Sequence, residues 1–145
     1  MSFEKRYQEL LSELESHLGP DHFPRNYLGE RLPLDCEVPS YQSEPVEGEY
    51  IVEHNGALQL WYTERETKRL LFETHDSDEF FYRVFKGITQ SLATSFEARN
   101  RNPETLDTRV DWFLIQEELL GKLSLEWQKR LEAEHEKIIT KRVSG

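Results

Sequence analysis

The chain reads DEFFYRVFKGITQSLATSFEAR from Asp78 to Arg99, and this stretch decides the fold. Its apolar residues recur three and four positions apart, which is the spacing of one face of an α-helix. The members of this stripe are Phe81, Val84, Phe85, Ile88, Leu92 and Phe96. We therefore predict a helix from about Ser77 to Arg101, with one side buried in a core.

Capping signals place this helix and two that follow it. Asp76 has acid-capping character, and Asn102-Pro103 stops the helix because the residue before a proline avoids helical geometry. A third helix is predicted over residues 106–120, with Gly121 just beyond it as the C-terminal cap. Ser124 is a favourable N-terminal cap for a fourth helix, whose apolar residues are Leu125, Trp127, Leu131, Ile138 and Ile139.

The first half of the chain predicts one helix and a small sheet. Residues 3–18 carry apolar residues at helical spacing, which predicts an amphipathic helix. Ser2 can cap its start, and Gly19-Pro20 stops it. Three strand-like segments follow later, at residues 50–54, 57–63 and 69–73. Asn55-Gly56 joins the first two, because both residues accept the positive φ angles of a type I′ turn, and residues 64–68 form the second connection. We expect a three-stranded antiparallel meander with helices covering one face.

Residues 20–49 are a long proline-rich connection. They hold five of the six prolines and seven acidic residues against two arginines, an excess of five negative charges. A connection of this length without secondary structure is uncommon in a compact domain and is often functional. Its aromatic and leucine residues indicate that it packs against something, and the domain itself is one candidate.

The whole pattern predicts a single α+β domain over residues 1–145. It comprises an N-terminal helix, the long proline-rich loop, a three-stranded antiparallel meander and three C-terminal helices packed on that meander. A length of 145 residues is enough for one domain with its own core.

Composition limits the classes of partner. The chain has 28 acidic and 18 basic residues, a formal net charge of −10. A field of this sign repels nucleic acid and anionic lipid and attracts a basic protein, although solubility alone is the simpler explanation. The single cysteine, Cys36, permits no intrachain disulfide. The N-terminus lacks the apolar run of a signal peptide, and no stretch approaches the length of a membrane span. We expect a cytoplasmic protein that binds neither nucleic acid nor membrane.

The residues form no catalytic or metal-binding pattern. None of the five histidines pairs with another at helical spacing or has a zinc-like spacing with Cys36, and His135 is expected at the surface or edge of the last helix. The sequence contains no phosphate loop, no nucleophile elbow and no cysteine with a nearby histidine. Glu132 and Glu136 are expected on a solvated helix face. We therefore predict a protein that is not an enzyme and that uses no metal and no cofactor.

Two acidic clusters are candidate contact sites. The first lies around the start of the predicted second helix and comprises Glu73, Asp76, Asp78 and Glu79, with no lysine or arginine between them. Helix capping and the helix dipole explain Asp76 and Asp78 without any partner, each carboxylate contributing ~0.3–1 kcal/mol. The alternative is a negative surface for a cationic partner. The second cluster lies in the proline-rich loop and contributes Glu37, Glu44 and Glu47.

Several segments of the second half recur together in a known family. They are Glu64-Arg65, residues 78–82, Val84-Phe85-Lys86, Ile88-Thr89, Leu92-Ala93, Phe96-Glu97, Arg99, Arg101, Asp107, Arg109, Phe113, Gln116, residues 118–124 and Trp127. Over about residues 50–139 this set resembles the Immunity protein sixty-three family, which accompanies bacterial polymorphic and contact-dependent toxins. Glu66 departs from the pattern, because the family has glycine after Glu-Arg. The C-terminal tail and residues 20–49 also depart from it.

The polar members of this set are harder to explain by packing than the apolar ones. They are Glu64, Arg65, Glu97, Arg101, Asp107, Arg109 and Gln116. We expect them to have structural roles. In particular, we expect Glu97 and Arg101 to form a local ion pair on an exposed helix face. This pair and the Asp107–Arg109 pair would hold helices together rather than touch a partner.

The resemblance implies stoichiometric inhibition of a cognate toxin, bound at its C-terminal toxin domain so that the active site is occluded. The negative charge would speed capture of a basic toxin, and a nuclease-type toxin is the expected partner, with carboxylates standing where substrate phosphates bind. The contact candidates are Glu73, Asp76, Asp78 and Glu79, followed by Glu37, Glu44 and Glu47. The alternative function is a non-catalytic adaptor or structural module of a bacterial protein assembly.

Overall fold

The structure, a computed structural model, describes residues 2–104 and 107–144, without the side chains of residues 36–37 and 140–144. Its elements are α1 (Phe3–Ser16), β1 (Ser40–Tyr41), β2 (Gly48–His54), β3 (Ala57–Glu64), β4 (Thr67–Thr74), α2 (Ser77–Arg99), α3 (Thr108–Gly121) and α4 (Leu125–Ser144). The α+β prediction is confirmed, with an N-terminal helix, a sheet and three C-terminal helices. The sheet has one strand more than predicted.

Helix α1 forms where its apolar spacing predicted it. The Ser2 hydroxyl accepts a hydrogen bond from the Lys5 amide at 3.0 Å, which satisfies one of the unpaired amides of the first turn. The helix buries Tyr7, Leu11 and Leu14. It ends at Ser16, two residues before the predicted end, because the amides of residues 17 and 18 bond to carbonyls three residues back in a tighter turn.

The proline-rich segment is not without secondary structure, which corrects the prediction. Pro20–His22 and Leu34–Glu37 are short 3-10 helices, and β1 pairs in parallel with β2, Ser40 opposite Tyr50. Proline at the first helical position costs no hydrogen bond, so such turns tolerate it. The sheet is therefore mixed and four-stranded, in the order β1-β2-β3-β4.

Both β-hairpins close with two-residue turns. Asn55 and Gly56 have φ angles of 49° and 79°, as the type I′ prediction requires. Arg65 and Glu66 have φ angles of 53° and 81°, so the second turn has the same form, although neither residue favours it. The predicted connection over residues 64–68 is thus too long, because its outer residues extend strands β3 and β4.

Helix α2 carries the centre of the core. Its N-terminus is capped by Asp76, and it ends at Arg99 with Asn100 as the C-terminal cap, two residues before the predicted end. The aromatic residues on this helix pack against aromatic rings from α1, β4 and α4. The packed rings are Tyr7 on Phe81, Phe72 on Phe80, and Trp127 on Phe85.

Helices α3 and α4 pack against α2 and each other. The predicted start of α3 at residue 106 lies outside the described residues. Gly121 is the last residue of α3 rather than a cap beyond it. A side chain at this position would meet the Gln128 side-chain amide, so glycine allows the close approach of α4. The Ser124 hydroxyl accepts from the Trp127 amide at 3.2 Å, which confirms the predicted cap of α4. No helix in the described part of the chain is long and apolar enough to cross a membrane.

Candidate functional site

The acidic cluster around the start of α2, Glu73, Asp76, Asp78 and Glu79, is called the α2 head cluster, and its members are engaged within the protein. The Asp76 carboxylate accepts from the amides of Asp78 and Glu79 at 3.0 and 3.2 Å, so it caps the helix. The Asp78 carboxylate accepts from the Trp127 indole at 3.2 Å, and Glu73 accepts from the Gln59 amide. Each of these three carboxylates therefore already has a partner inside the protein.

Glu79 is the most strongly held member of the cluster. Arg130 of α4 donates to both of its carboxylate oxygens, and Arg83 donates to one at 2.9 Å. The hydrogen bonds from Arg130 lower the pKa of Glu79 to about 2; partial burial opposes this shift, and Arg83 adds to it. Two guanidinium groups thus balance this carboxylate, and the pair ties α2 to α4.

The acidic loop residues are less constrained. The Glu44 carboxylate lies 2.9 Å from the Lys68 ammonium and accepts from the Thr63 hydroxyl at 3.3 Å. Glu47 is exposed. The Glu37 side chain lies outside the described part of the structure, so its place in the site stays a prediction.

An acidic groove of about 450 Å³ lies between the proline-rich segment and α2. Its floor includes Val84, Gly87 and Ile88 of α2, and its rim carries Asp35, Glu47 and Glu49; the remaining lining residues are Val38, Pro39, Ser40, Pro45, Gly48 and Ser91. Three of these lining residues are acidic and none is basic. The groove thus combines an apolar floor with a negative rim.

The wall of the acidic groove is fixed to the core through α1. The Tyr7 hydroxyl donates a buried 2.6 Å hydrogen bond to the carbonyl of Pro39. The pKa of Tyr7 is raised, mainly by burial and further by the nearby charge of Glu49. Burial also raises the pKa of Glu49 itself. A cation in the groove would lower the pKa of this carboxyl and so favour its charged form.

Sequence reasoning did not single out Asp35 and Glu49 as contact candidates, although it counted both among the acids of the loop. Only the folding of the loop against α2 brings them together with Glu47. The excess of acids over bases in this segment was the available signal, but it does not distinguish the acids that face the groove from those that face solvent.

The family-like polar residues occupy distinct places. The Arg101 guanidinium donates to both carboxylate oxygens of Glu97, at 3.0 and 3.1 Å. Arg101 is exposed but Glu97 is buried, so the expectation that this pair lies on an exposed helix face is wrong for Glu97. Asp107 caps α3 and is 3.2 Å from the Arg109 guanidinium. The Gln116 amide, buried between helices, donates to the carbonyl of Lys86 at 2.9 Å. Glu64 and Arg65 are exposed at the β3–β4 turn.

One histidine is placed differently from the prediction. His135 is buried, stacked on Phe113 with ring centroids 3.7 Å apart, and its ring nitrogen lies 2.6 Å from the Glu117 carboxylate. The aromatic stack and the carboxylate compensate for burying a polar ring. Glu132 and Glu136 are exposed, as predicted. Among the side chains that the structure describes, no group of three or more His, Cys, Asp or Glu could hold a metal ion.

A known protein family matches more than half of this chain. The model of Immunity protein 63 matches residues 54–137, more than half of the 145 residues. The chain belongs to the Immunity protein 63 family. Membership implies a non-enzymatic inhibitor that neutralises a cognate toxin. No curated protein and no solved structure matches the chain.

The family match divides the acidic groove. Val84, Gly87 and Ile88 of its floor lie within the matched residues, whereas Asp35, Glu47 and Glu49 of its rim lie in the segment before them. The rim therefore belongs to the part of this chain that the family model does not describe.

Proposed function

We propose that this immunity protein binds the C-terminal domain of a basic, nuclease-type toxin through the acidic groove and occludes the toxin's active site. The observation that carries the proposal is the groove itself, which has three carboxylates on its rim, an apolar floor and no basic residue in its lining. Lysine and arginine side chains fit such a site, because their apolar stems cover the floor while their charged ends meet the rim.

The charge of the whole chain supports the same partner. A net charge of −10 attracts a basic protein over several ångströms and raises the rate of productive encounter. A nuclease holds its substrate phosphates with basic side chains, so carboxylates presented by an inhibitor compete for the same groups. Occlusion of the active site follows from this competition.

The α2 head cluster is the second choice for toxin contact. Asp76, Asp78 and Glu79 have partners within the protein. Breaking one of these contacts to bind the toxin would offset part of the binding free energy. Glu47 lines the groove, whereas Glu44 is paired with Lys68. We therefore place Glu47, with Asp35 and Glu49, ahead of Glu73, Asp76, Asp78 and Glu79.

Co-expression tests the function. The toxin domain encoded beside this chain's gene is expressed in bacteria with the chain and without it. We expect growth only when the chain is present. Death of cells that contain folded, abundant chain would overturn the proposal, and would favour instead a structural role in a larger assembly.

A further inference from the structure

Residues 24–32 form a closed loop, of which residues 27–31 are exposed. Arg25 and Arg31 make a β-bridge across its base, and the Leu32 amide donates to the Pro24 carbonyl at 2.8 Å. The Arg31 guanidinium lies 3.8 Å from the centre of the buried Phe23 ring. These contacts fix both ends of the loop.

The interior of the loop is held by one asparagine. The Asn26 side-chain oxygen accepts from the amides of Leu28 and Glu30, both at 2.9 Å, and its backbone amide donates to the Glu30 carbonyl at 3.0 Å. Gly29 adopts a φ angle of +81°, and its carbonyl accepts from the Arg25 guanidinium at 3.1 Å. The loop is therefore ordered by its own polar groups, without help from the side chains at its tip.

Those side chains are apolar and exposed. Tyr27 is 94% exposed and Leu28 is 65% exposed, and we call this pair the apolar tip. Sequence reasoning left open whether the aromatic residues of this segment pack on the domain; Phe23 does, whereas Tyr27 does not. Because the loop is already ordered, binding through its exposed tyrosine and leucine loses little conformational entropy. This is the property of an interface anchor.

The loop lies beside the acidic groove. Ser91 of α2 lines that groove and also a small cavity with Pro24, Arg25 and Ser95. The next turns of α2 hold the residues just before the loop: His22 stacks on Phe96 with ring centroids 4.4 Å apart, and the Arg99 guanidinium donates to the Asp21 carbonyl at 2.5 Å. The groove and the base of the loop therefore follow one another along α2.

We propose that the apolar tip is the anchor of the toxin-binding face, with Tyr27 and Leu28 entering an apolar pocket of the toxin domain whose basic surface covers the acidic groove. This inference rests on the proposed function. A second copy of the chain is the competing occupant, and it is disfavoured because two chains of charge −10 repel one another. The tip supplies apolar contact and the groove supplies charge complementarity.

The test is the affinity of the chain for the toxin domain encoded beside its gene, measured by titration calorimetry. The test variant is Tyr27→Ala with Leu28→Ala. The matched control is Leu114→Ala with Leu125→Ala, on α3 and α4, where the leucines are 61% and 69% exposed. We expect the test variant to bind about 30-fold or more weakly at low and at high salt, with faster dissociation, and the control to bind like the wild type.

The outcomes separate the two proposals. Thermal unfolding of both variants should match the wild type, because neither pair of side chains packs in the core. Binding of the tip variant within about threefold of the wild type would overturn the apolar anchor and leave the proposed function intact. A wild-type dimer in light scattering that the tip variant abolishes would assign the tip to a second copy. A wild type that does not bind the toxin domain would overturn the proposed function itself.

Discussion

Arg130 of α4 donates two hydrogen bonds to the carboxylate of Glu79 in the first turn of α2, at 2.5 and 3.1 Å. The two residues are 51 positions apart in the chain. The guanidinium also lies 3.9 Å from the centre of the Tyr82 ring. The pair therefore connects helices that local sequence patterns describe separately, and it neutralises an acid that the sequence marked as a toxin contact.

The pH dependence of stability should report this pair. The folded-state pKa of Glu79 is about 2, below its ordinary value of 4.5, so the pair stabilises the fold above pH 4.5 and this contribution is lost as the pH falls towards 2. Solvent screening limits the effect to about 1 kcal/mol. In urea unfolding, the wild type should lose more stability than Glu79→Gln between these pH values. Equal losses in the two proteins would show that Glu79 does not carry the effect.

Tyr7→Phe should destabilise the fold by about 1–2 kcal/mol, because the buried carbonyl of Pro39 loses its hydrogen bond while the ring keeps its packing. Tyr27→Phe is the matched control, since the Tyr27 side chain is exposed, and it should change stability by less than about 0.5 kcal/mol. Chemical denaturation measures both. Equal, small effects of the two substitutions would contradict the attachment of the groove wall to α1.

The two hairpin turns provide a reciprocal test of backbone strain. Glu66 and Gly56 hold equivalent positions, with φ angles of +81° and +79°. Glu66→Gly should stabilise the fold by about 1 kcal/mol, because glycine accepts positive φ without steric cost, and Gly56→Glu should destabilise it by a similar amount. Thermal denaturation distinguishes the two. A loss of stability in Glu66→Gly would mean that the glutamate side chain stabilises the turn by contacts that outweigh the strain.

Neutralising the rim of the acidic groove should slow toxin association. The test variant carries Asp35→Asn, Glu47→Gln and Glu49→Gln. A control with Glu118→Gln, Glu132→Gln and Glu136→Gln removes the same charge from exposed positions on α3 and α4. We expect the association rate of the rim variant to fall about tenfold at low salt, and the difference from the control to shrink as salt screens the charges. Equal rates for both variants would show that only net charge matters.

The helices of this fold were predictable because their signals are local. The apolar stripe from Phe81 to Phe96 defines α2, and Asn55-Gly56 defines the first hairpin. Strand β1 was missed because two residues, Ser40 and Tyr41, are too few to show a period, and their pairing with β2 is fixed by distant contacts.

The site was less predictable, because its chemistry depends on pairs far apart in the chain. The acids at the head of α2 have no lysine or arginine between them in the sequence, and only the fold brings Arg130 and Trp127 of α4 beside Glu79 and Asp78. His135 looked like a surface residue because Phe113 and Glu117, which bury and hold it, lie on another helix. The exposed position of Tyr27 required the loop geometry that Asn26 sets.

Titration of toxin activity with the chain tests the central claim most directly. The catalytic activity of the toxin domain encoded beside this gene is measured against its substrate at toxin concentrations well above Kd. We predict that activity falls in proportion to added chain and is abolished at a fixed stoichiometric ratio, as expected for an inhibitor that occludes the active site. Unchanged activity in the presence of excess folded chain would contradict the account.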